Sequence, residues 1–232
     1  MHIPQSEKIT LEFTKKLILW ANDSGLNLTY LQEKHQLVVY QKSEWIAKIY
    51  LPWTLLWDFK LGLIKNPDPH YSLCLVKAGQ ACVGHFHHGK MEDHKVFRAY
   101  MVRQKQGKSQ IKHLNTKGKS RAGSRIRLAE TERFFEEINE RLQSYLAFPI
   151  QFWGISCSKT LWPYLFSSST PPPFSSGSKE LIELPFHVSQ ASFEELEVAG
   201  KLVSEVHLLL SEQGKKLVEP IRSSSKEEED NW

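Results

Sequence analysis

Three strand-like runs follow one another with little between them, and a helical stripe comes next. Residues 71–76 and 80–86 flank Ala78-Gly79, a two-residue turn that makes them an antiparallel hairpin. Residues 96–102 form a third run, with Val96, Arg98, Tyr100 and Val102 on one face and Phe97, Ala99 and Met101 on the other. Phe134, Ile138, Leu142 and Tyr145 then recur at helical spacing, the core stripe of a helix expected over about 123–146. Short apolar strands follow at 150–156 and 181–184, with a helical turn within 159–165 between them. Strands alternating with helices in this way select the α/β class, a mixed β-sheet flanked by helices.

The flanking sequence is read in the same terms. Ile9, Phe13, Leu17, Trp20 and Ala21 have helical spacing, and Asp23-Ser24-Gly25 ends it. Residues 26–30, 36–40 and 45–51 read as strands, the last stopped by Pro52, and 55–64 reads as a short helix. The breaker Asn66-Pro67-Asp68-Pro69 predicts a boundary. Residues 1–66 are therefore expected to be a small α+β N-terminal module, and 67–212 the main domain. Residues 167–178, rich in Ser and Pro, read as a solvated loop. Ser192 and Glu195 form a capping box before a last helix with Leu196, Ala199, Val203, Val206 and Leu210 on its apolar side. Residues 213–232, ending in SSSKEEEDNW, read as a disordered tail.

Charge is distributed unevenly. The chain has thirty Lys/Arg and twenty-six Asp/Glu, yet between His94 and Leu128 stand eleven cations and no carboxylate. They are Lys95, Arg98, Arg103, Lys105, Lys108, Lys112, Lys117, Lys119, Arg121, Arg125 and Arg127. So many like charges repel one another, and phosphate is the ligand that offsets the repulsion through charge-assisted hydrogen bonds. Gly107, Gly118 and Gly123 allow close backbone approach to a ligand. A helix N-terminus near Arg121–Ser124 adds free N–H groups and the positive end of the helix dipole. Arginines in a first helical turn oppose that dipole, which points to a bound anion as their purpose.

Several common chemistries are not written here. Neither Gly107-Lys108-Ser109 nor Gly118-Lys119-Ser120 has the upstream glycine of a Walker phosphate loop. No zinc finger, RRM signature, GxxG clamp or Gly-x-Ser-x-Gly elbow occurs. His85 and His87 share a strand face with His88 beside them and Glu92 and Asp93 near, but no obvious ligand set results, and no metal or cofactor is expected. Trp45, Trp53 and Trp57 with Tyr50 are read as core rather than as a base-stacking platform. The turn at Ala78-Gly79 pairs Cys74 with Val83 and puts Cys82 on the opposite face, so these cysteines are expected as reduced, buried thiols. With no secretory signal and no apolar run of membrane-spanning length, a cytoplasmic protein without membrane partners is expected.

The succession HKVFRAYMVRQKQGKSQ, KGKSRAGSRIR, a long helix and LPFHVSQASFEELEVAGKL resembles the Vms-type release-factor family. That family is named for the tRNA-cleaving factor of eukaryotic ribosome-associated quality control and has bacterial members. The matching residues are His94, Lys95, Tyr100, Arg103, Lys105, Gln106, Gly107, Ser109, Gln110, Gly118, Ala122, Gly123, Ile126 and Arg127, and later Pro185-Phe186 and Glu195. Coverage runs over about 71–210, leaving 1–66 unexplained. The chain departs from the family in reading Gly-Lys-Ser-Gln where a double glycine is common. Arg121 stands where a Ser is expected, and Leu128 replaces a second Arg.

The resemblance implies a catalytic domain like the middle domain of the eukaryotic peptide-release factor, RNase H-like in fold. It implies attack on peptidyl-tRNA near its 3′ end within the large ribosomal subunit, either ester hydrolysis or endonucleolytic removal of the 3′ CCA. It implies Gln110 as the catalytic residue, with Gly107, Ser109, Gly118, Ala122 and Gly123 shaping the loop and the eleven cations on tRNA or ribosomal RNA phosphates. An amide donates and accepts at once and is suited to orienting a water or ribose hydroxyl. Two other readings stay open: a non-catalytic RNA- or ribosome-binding module, and a metal-dependent nuclease using the histidines. The loop is expected to be poorly ordered without RNA.

Overall fold

The computed structural model describes residues 1–99 and 119–229; for 119–128 and 223–229 it describes the backbone alone. The chain begins with β1 (Glu7–Ile9), α1 (Leu11–Asp23), β2 (Asn27–Leu31), β3 (Gln36–Gln41), β4 (Glu44–Tyr50), β5 (Leu55–Asp58) and β6 (Gly62–Lys65). It continues with β7 (His70–Lys77), β8 (Gln80–His87), β9 (Lys90–Arg98), α2 (Lys119–Ser144), β10 (Ile150–Cys157) and α3 (Trp162–Phe166). It closes with β11 (Leu181–Glu183), α4 (Phe193–Val203), β12 (Val206–Leu210) and α5 (Glu212–Glu229).

Among the described residues the strands form two five-stranded sheets and one small hairpin. The first sheet has the order β1-β12-β4-β3-β2 and is antiparallel throughout. The second has the order β11-β10-β7-β8-β9, parallel on both sides of β10 and antiparallel from β7 to β9. The class is α/β with a mixed sheet. Helices cover both faces of that second sheet. On one, α2 sets Phe134, Phe135, Ile138 and Leu142 against Cys74, Val83 and Phe97. On the other, α4 sets Leu196, Ala199 and Val203 against Leu73, Leu75, Cys82 and Phe86. The turn fixes which residue faces which layer. Gly79 takes the left-handed φ of 77° that a tight hairpin needs, and Cys74 pairs with Val83. Period-two alternation then sends Cys74 to the α2 side and Cys82 to the α4 side.

In the first sheet, Thr10 caps α1 by accepting a hydrogen bond from the Phe13 amide at 3.1 Å. The helix buries Leu17, Ile18 and Ala21 on Leu37, Val39, Ile46 and Ile49. Trp53 joins the two sheets. Its amide donates to the Val203 carbonyl at 2.8 Å, and its ring lies 5.5 Å from that of Tyr71 and 5.4 Å from that of Phe152.

Four expectations need correction. Residues 55–64 form the β5–β6 hairpin, not a helix. The last helix of the main domain stops at Val203; Val206 and Leu210 belong to β12, which lies between β1 and β4. The spacing 203, 206, 210 fits a helix by chance, and the open slot in the first sheet decides the matter. The expected disordered tail is α5 as far as Glu229, with Val218 fully buried, Leu217 and Ile221 packed beside it, and Arg222 paired with Glu7. Asp230, Asn231 and Trp232 lie outside the described residues. The Ser/Pro stretch is a loop only partly solvated: Phe174 is buried against Trp153, and the Asn139 amide donates to the Leu165 and Thr170 carbonyls at 2.7 and 2.8 Å.

Candidate functional site

The cationic stretch begins on β9, the edge strand of the second sheet. Where β9 pairs with β8, Phe86 faces Met91 and His85 faces Asp93, so Glu92 is an extra residue on β9. A bulge of this kind inverts the faces that follow. Met91 packs on the α4 side, whereas Asp93 reaches α2, accepting from the Tyr145 hydroxyl at 2.7 Å and pairing with Arg141. Burial, with the Asp93 bond added, pushes the Tyr145 hydroxyl far above the usual tyrosine range and keeps it a donor. Phe97 is buried under α2, and the Lys95 ammonium lies 5.0 Å from its ring centre. Lys95 and Arg98 are both exposed. The Ala99 amide, bonded to the Gly79 carbonyl at 2.9 Å, is the last described tie before the chain re-enters at Lys119.

Helix α2 begins four residues earlier than its expected start at Gly123. Lys119, Arg121, Ala122, Gly123, Arg125 and Arg127 are therefore all helical, and the first turn holds no acid. Among the side chains of α2 that are described, burial begins at Phe134, after exposed Ala129, Glu130, Glu132 and Arg133. At 1.5 Å per residue the helix continues about 22 Å on the N-terminal side of Phe134. Its other end is held by Asp93, near the start of β9. Strand and helix thus form an antiparallel frame, with Lys95 and Arg98 in the C-terminal half of the strand and four cationic positions in the first part of the helix. Gln110, Gly107, Ser109, Gly118, Arg103, Lys105, Lys108, Lys112 and Lys117, with the expectation of a poorly ordered loop, lie outside the described residues.

The opposite end of the second sheet holds a group of which the sequence reading named His85 and His87 but not Asp68 or His70. His70 and His87 face each other across β7 and β8, with rings 4.1 Å apart and nearly parallel. The Asp68 Oδ1 lies 2.8 Å from His87 Nε2 and 3.3 Å from His70 Nε2. His70 Nδ1 lies 2.9 Å from His85 Nε2. The hydrogen bond from His87 and the neighbouring imidazoles hold the Asp68 carboxyl below its ordinary range. The partners of the HFHH run are thus Asp68 and His70; Asp93 is taken by α2. The signal was available, because the turn arithmetic that pairs Cys74 with Val83 also pairs His70 with His87.

The three cysteines are free, and burial pushes Cys82 and Cys157 up to about 12 and Cys74 well above its ordinary value. The aromatic residues weighed as a platform are dispersed, with Trp53 in the core between the sheets and Trp57 beside Tyr30 on the first sheet.

The family model for the Bacteroidetes VLRF1 release factor matches residues 71–210. The chain belongs to this family. Among release factors its role is related to ribosome rescue, and the ribosome is the partner that membership implies. The matched region starts one residue into β7 and ends on the last residue of β12, so it holds the whole cationic stretch. No curated protein matches the sequence. A solved structure, the Vms1 mitochondrial localization core, aligns over 88% of this chain and 91% of that one at 11% identity and a TM-score of 0.42, too loose a likeness to carry an inference. Among the described residues, no helix is long and apolar enough to cross a membrane.

Proposed function

We propose that this release-factor family member cleaves peptidyl-tRNA on stalled large ribosomal subunits, with Gln110 positioning the attacking water or ribose hydroxyl. The observation that carries the reading is the acid-free run of eleven cations. It lies wholly inside the family match, and its two ends stand on β9 and on the first part of α2. Lys95 and Arg98 on the strand, with Lys119, Arg121, Arg125 and Arg127 on the helix, hold acceptor-stem or ribosomal RNA phosphates. Gln110 acts by orientation, since an amide is too weak a base to take the proton outright. No cofactor takes part, and the protein works in the cytoplasm, in keeping with three free thiols.

The test is incubation of the protein with stalled large-subunit peptidyl-tRNA complexes, wild type beside Gln110→Ala, followed by sequencing of the tRNA 3′ end. A tRNA shortened at its 3′ end with wild type alone identifies an endonuclease. An intact CCA end with freed peptide identifies ester hydrolysis. If neither product depends on Gln110, the cationic density supports the second reading, a module that docks on ribosomal RNA without cutting.

A further inference from the structure

We infer that Asp68, His70 and His87 form a zinc-binding site at the end of the second sheet away from the cationic frame. Two imidazole nitrogens and one carboxylate oxygen are a ligand set suited to zinc, which takes them at about 2.0–2.2 Å. Around a tetrahedral ion such ligands stand about 3.3–3.5 Å apart. Here the carboxylate oxygen is 2.8 and 3.3 Å from the two nitrogens, and all three ligand atoms lie within 4.8 Å of one another. The His70 and His87 rings, stacked 4.1 Å apart and nearly parallel, must turn for both Nε2 atoms to point at one ion.

The ligands are held by rigid neighbours. The His70 amide donates to the Gln151 side-chain oxygen at 2.6 Å, and the Gln151 amide donates back to the Asp68 carbonyl at 3.3 Å. The Asp68 amide donates to Asn66 Oδ1 at 3.1 Å, and the His88 amide donates to the Pro69 carbonyl at 3.1 Å. The breaker that joins the sheets is thereby fixed beside the β7–β8 pair. Such a shell keeps a metal site at its working geometry.

The outer partner is also correct. A metal on His70 Nε2 requires the proton on Nδ1, where it must be donated. His85 Nε2, 2.9 Å away, accepts it, and the His85 ring is itself held by Phe148 at 4.2 Å. An oriented acceptor behind a ligating imidazole is the usual support of a zinc site. Asp68 is exposed and His87 half-buried, so the remaining coordination belongs to water. The site lies at the opposite end of the second sheet from Arg98, and it acts as a clasp on the 66–69 link rather than in the proposed cleavage.

The test uses full-length protein without a polyhistidine tag, stripped with chelator and titrated with zinc chloride in a calorimeter. One zinc per chain is expected for wild type, for His2→Ala and for His88→Ala. Saturable binding is lost in Asp68→Asn and in His87→Ala, whose side chains reach solvent and whose folding is verified by circular dichroism. His85→Phe, which keeps a ring but removes the acceptor, weakens binding by roughly 10–100-fold. The absence of stoichiometric binding by wild type overturns the site, and so does unchanged binding by Asp68→Asn and His87→Ala.

Discussion

The Tyr145 hydroxyl donates to Asp93 Oδ2 at 2.7 Å, and Arg141 bonds the same oxygen. These contacts join the start of β9 to the end of α2 and so close the frame at the end opposite the cations. Tyr145→Phe removes one charge-assisted bond at a half-buried site and lowers stability by about 1–2 kcal/mol. Urea denaturation followed by circular dichroism measures the loss. Asp93→Ala costs at least as much, because Arg141 is left beside apolar packing without its carboxylate.

His35 makes stability depend on pH. Its Nδ1 lies 2.7 Å from the Tyr30 hydroxyl and its Nε2 3.1 Å from the Pro52 carbonyl, an arrangement that suits the neutral ring. Burial lowers its pKa from 6.5 to about 4. A base with a depressed folded pKa leaves stability intact above pH 6.5. As pH falls toward 4 the unfolded chain binds a proton that the folded chain refuses. About 3 kcal/mol is lost across that window, with no further contribution from His35 below it. Denaturation curves at pH 7 and pH 4.5 measure this. His35→Asn, which tolerates the left-handed φ of 46°, flattens the slope.

Helix α5 crosses β4 at Gly214, where an added Cβ would collide with the Ile46 carbonyl. Backbone cannot rotate away as a side chain can. Gly214→Ala therefore destabilises the protein by about 1–3 kcal/mol through overpacking, and thermal melting records it. Deleting residues 212–232 uncovers the Val218 socket on the first sheet and lowers the melting temperature as well.

Lys95 and Arg98 contribute phosphate contacts in the proposed function. The double variant Lys95→Ala/Arg98→Ala weakens RNA binding and reduces the slope of log affinity against log salt by roughly 1–2. Filter binding of a tRNA acceptor-stem RNA at several salt concentrations measures that slope. Circular dichroism should be unchanged, since both side chains are exposed.

What was legible in the sequence was local. The Ala78-Gly79 turn and period-two alternation gave the faces of β7 and β8 down to Cys74 and Cys82, and all four residues of the helical stripe are buried together, Tyr145 in the 3-10 turn just past α2. The family resemblance, which the match over 71–210 bears out, rested on a long ordered motif. What failed depended on distant partners. β12 is a strand because β1 and β4 leave a place for it, and α5 folds because Leu217, Val218 and Ile221 find the first sheet beneath a charged sequence. Asp68 meets His87 only because the 66–69 link turns back over the hairpin.

The position of β12 has a consequence for how the chain is made. Its Leu208 pairs with Glu7 on one side and Ile49 on the other, so the first sheet is incomplete until the chain has been made as far as Leu210. A ribosome producing this protein releases β1 through β4 long before the strand that separates β1 from β4. The first sixty-odd residues must therefore wait, without the strand that lies between β1 and β4, for the second sheet to form and hand back β12. Folding in order from the N-terminus, the ordinary course for successive domains, is closed to this chain. A fragment cut to the family match inherits the same difficulty from the other side, carrying a strand whose neighbours have been left behind.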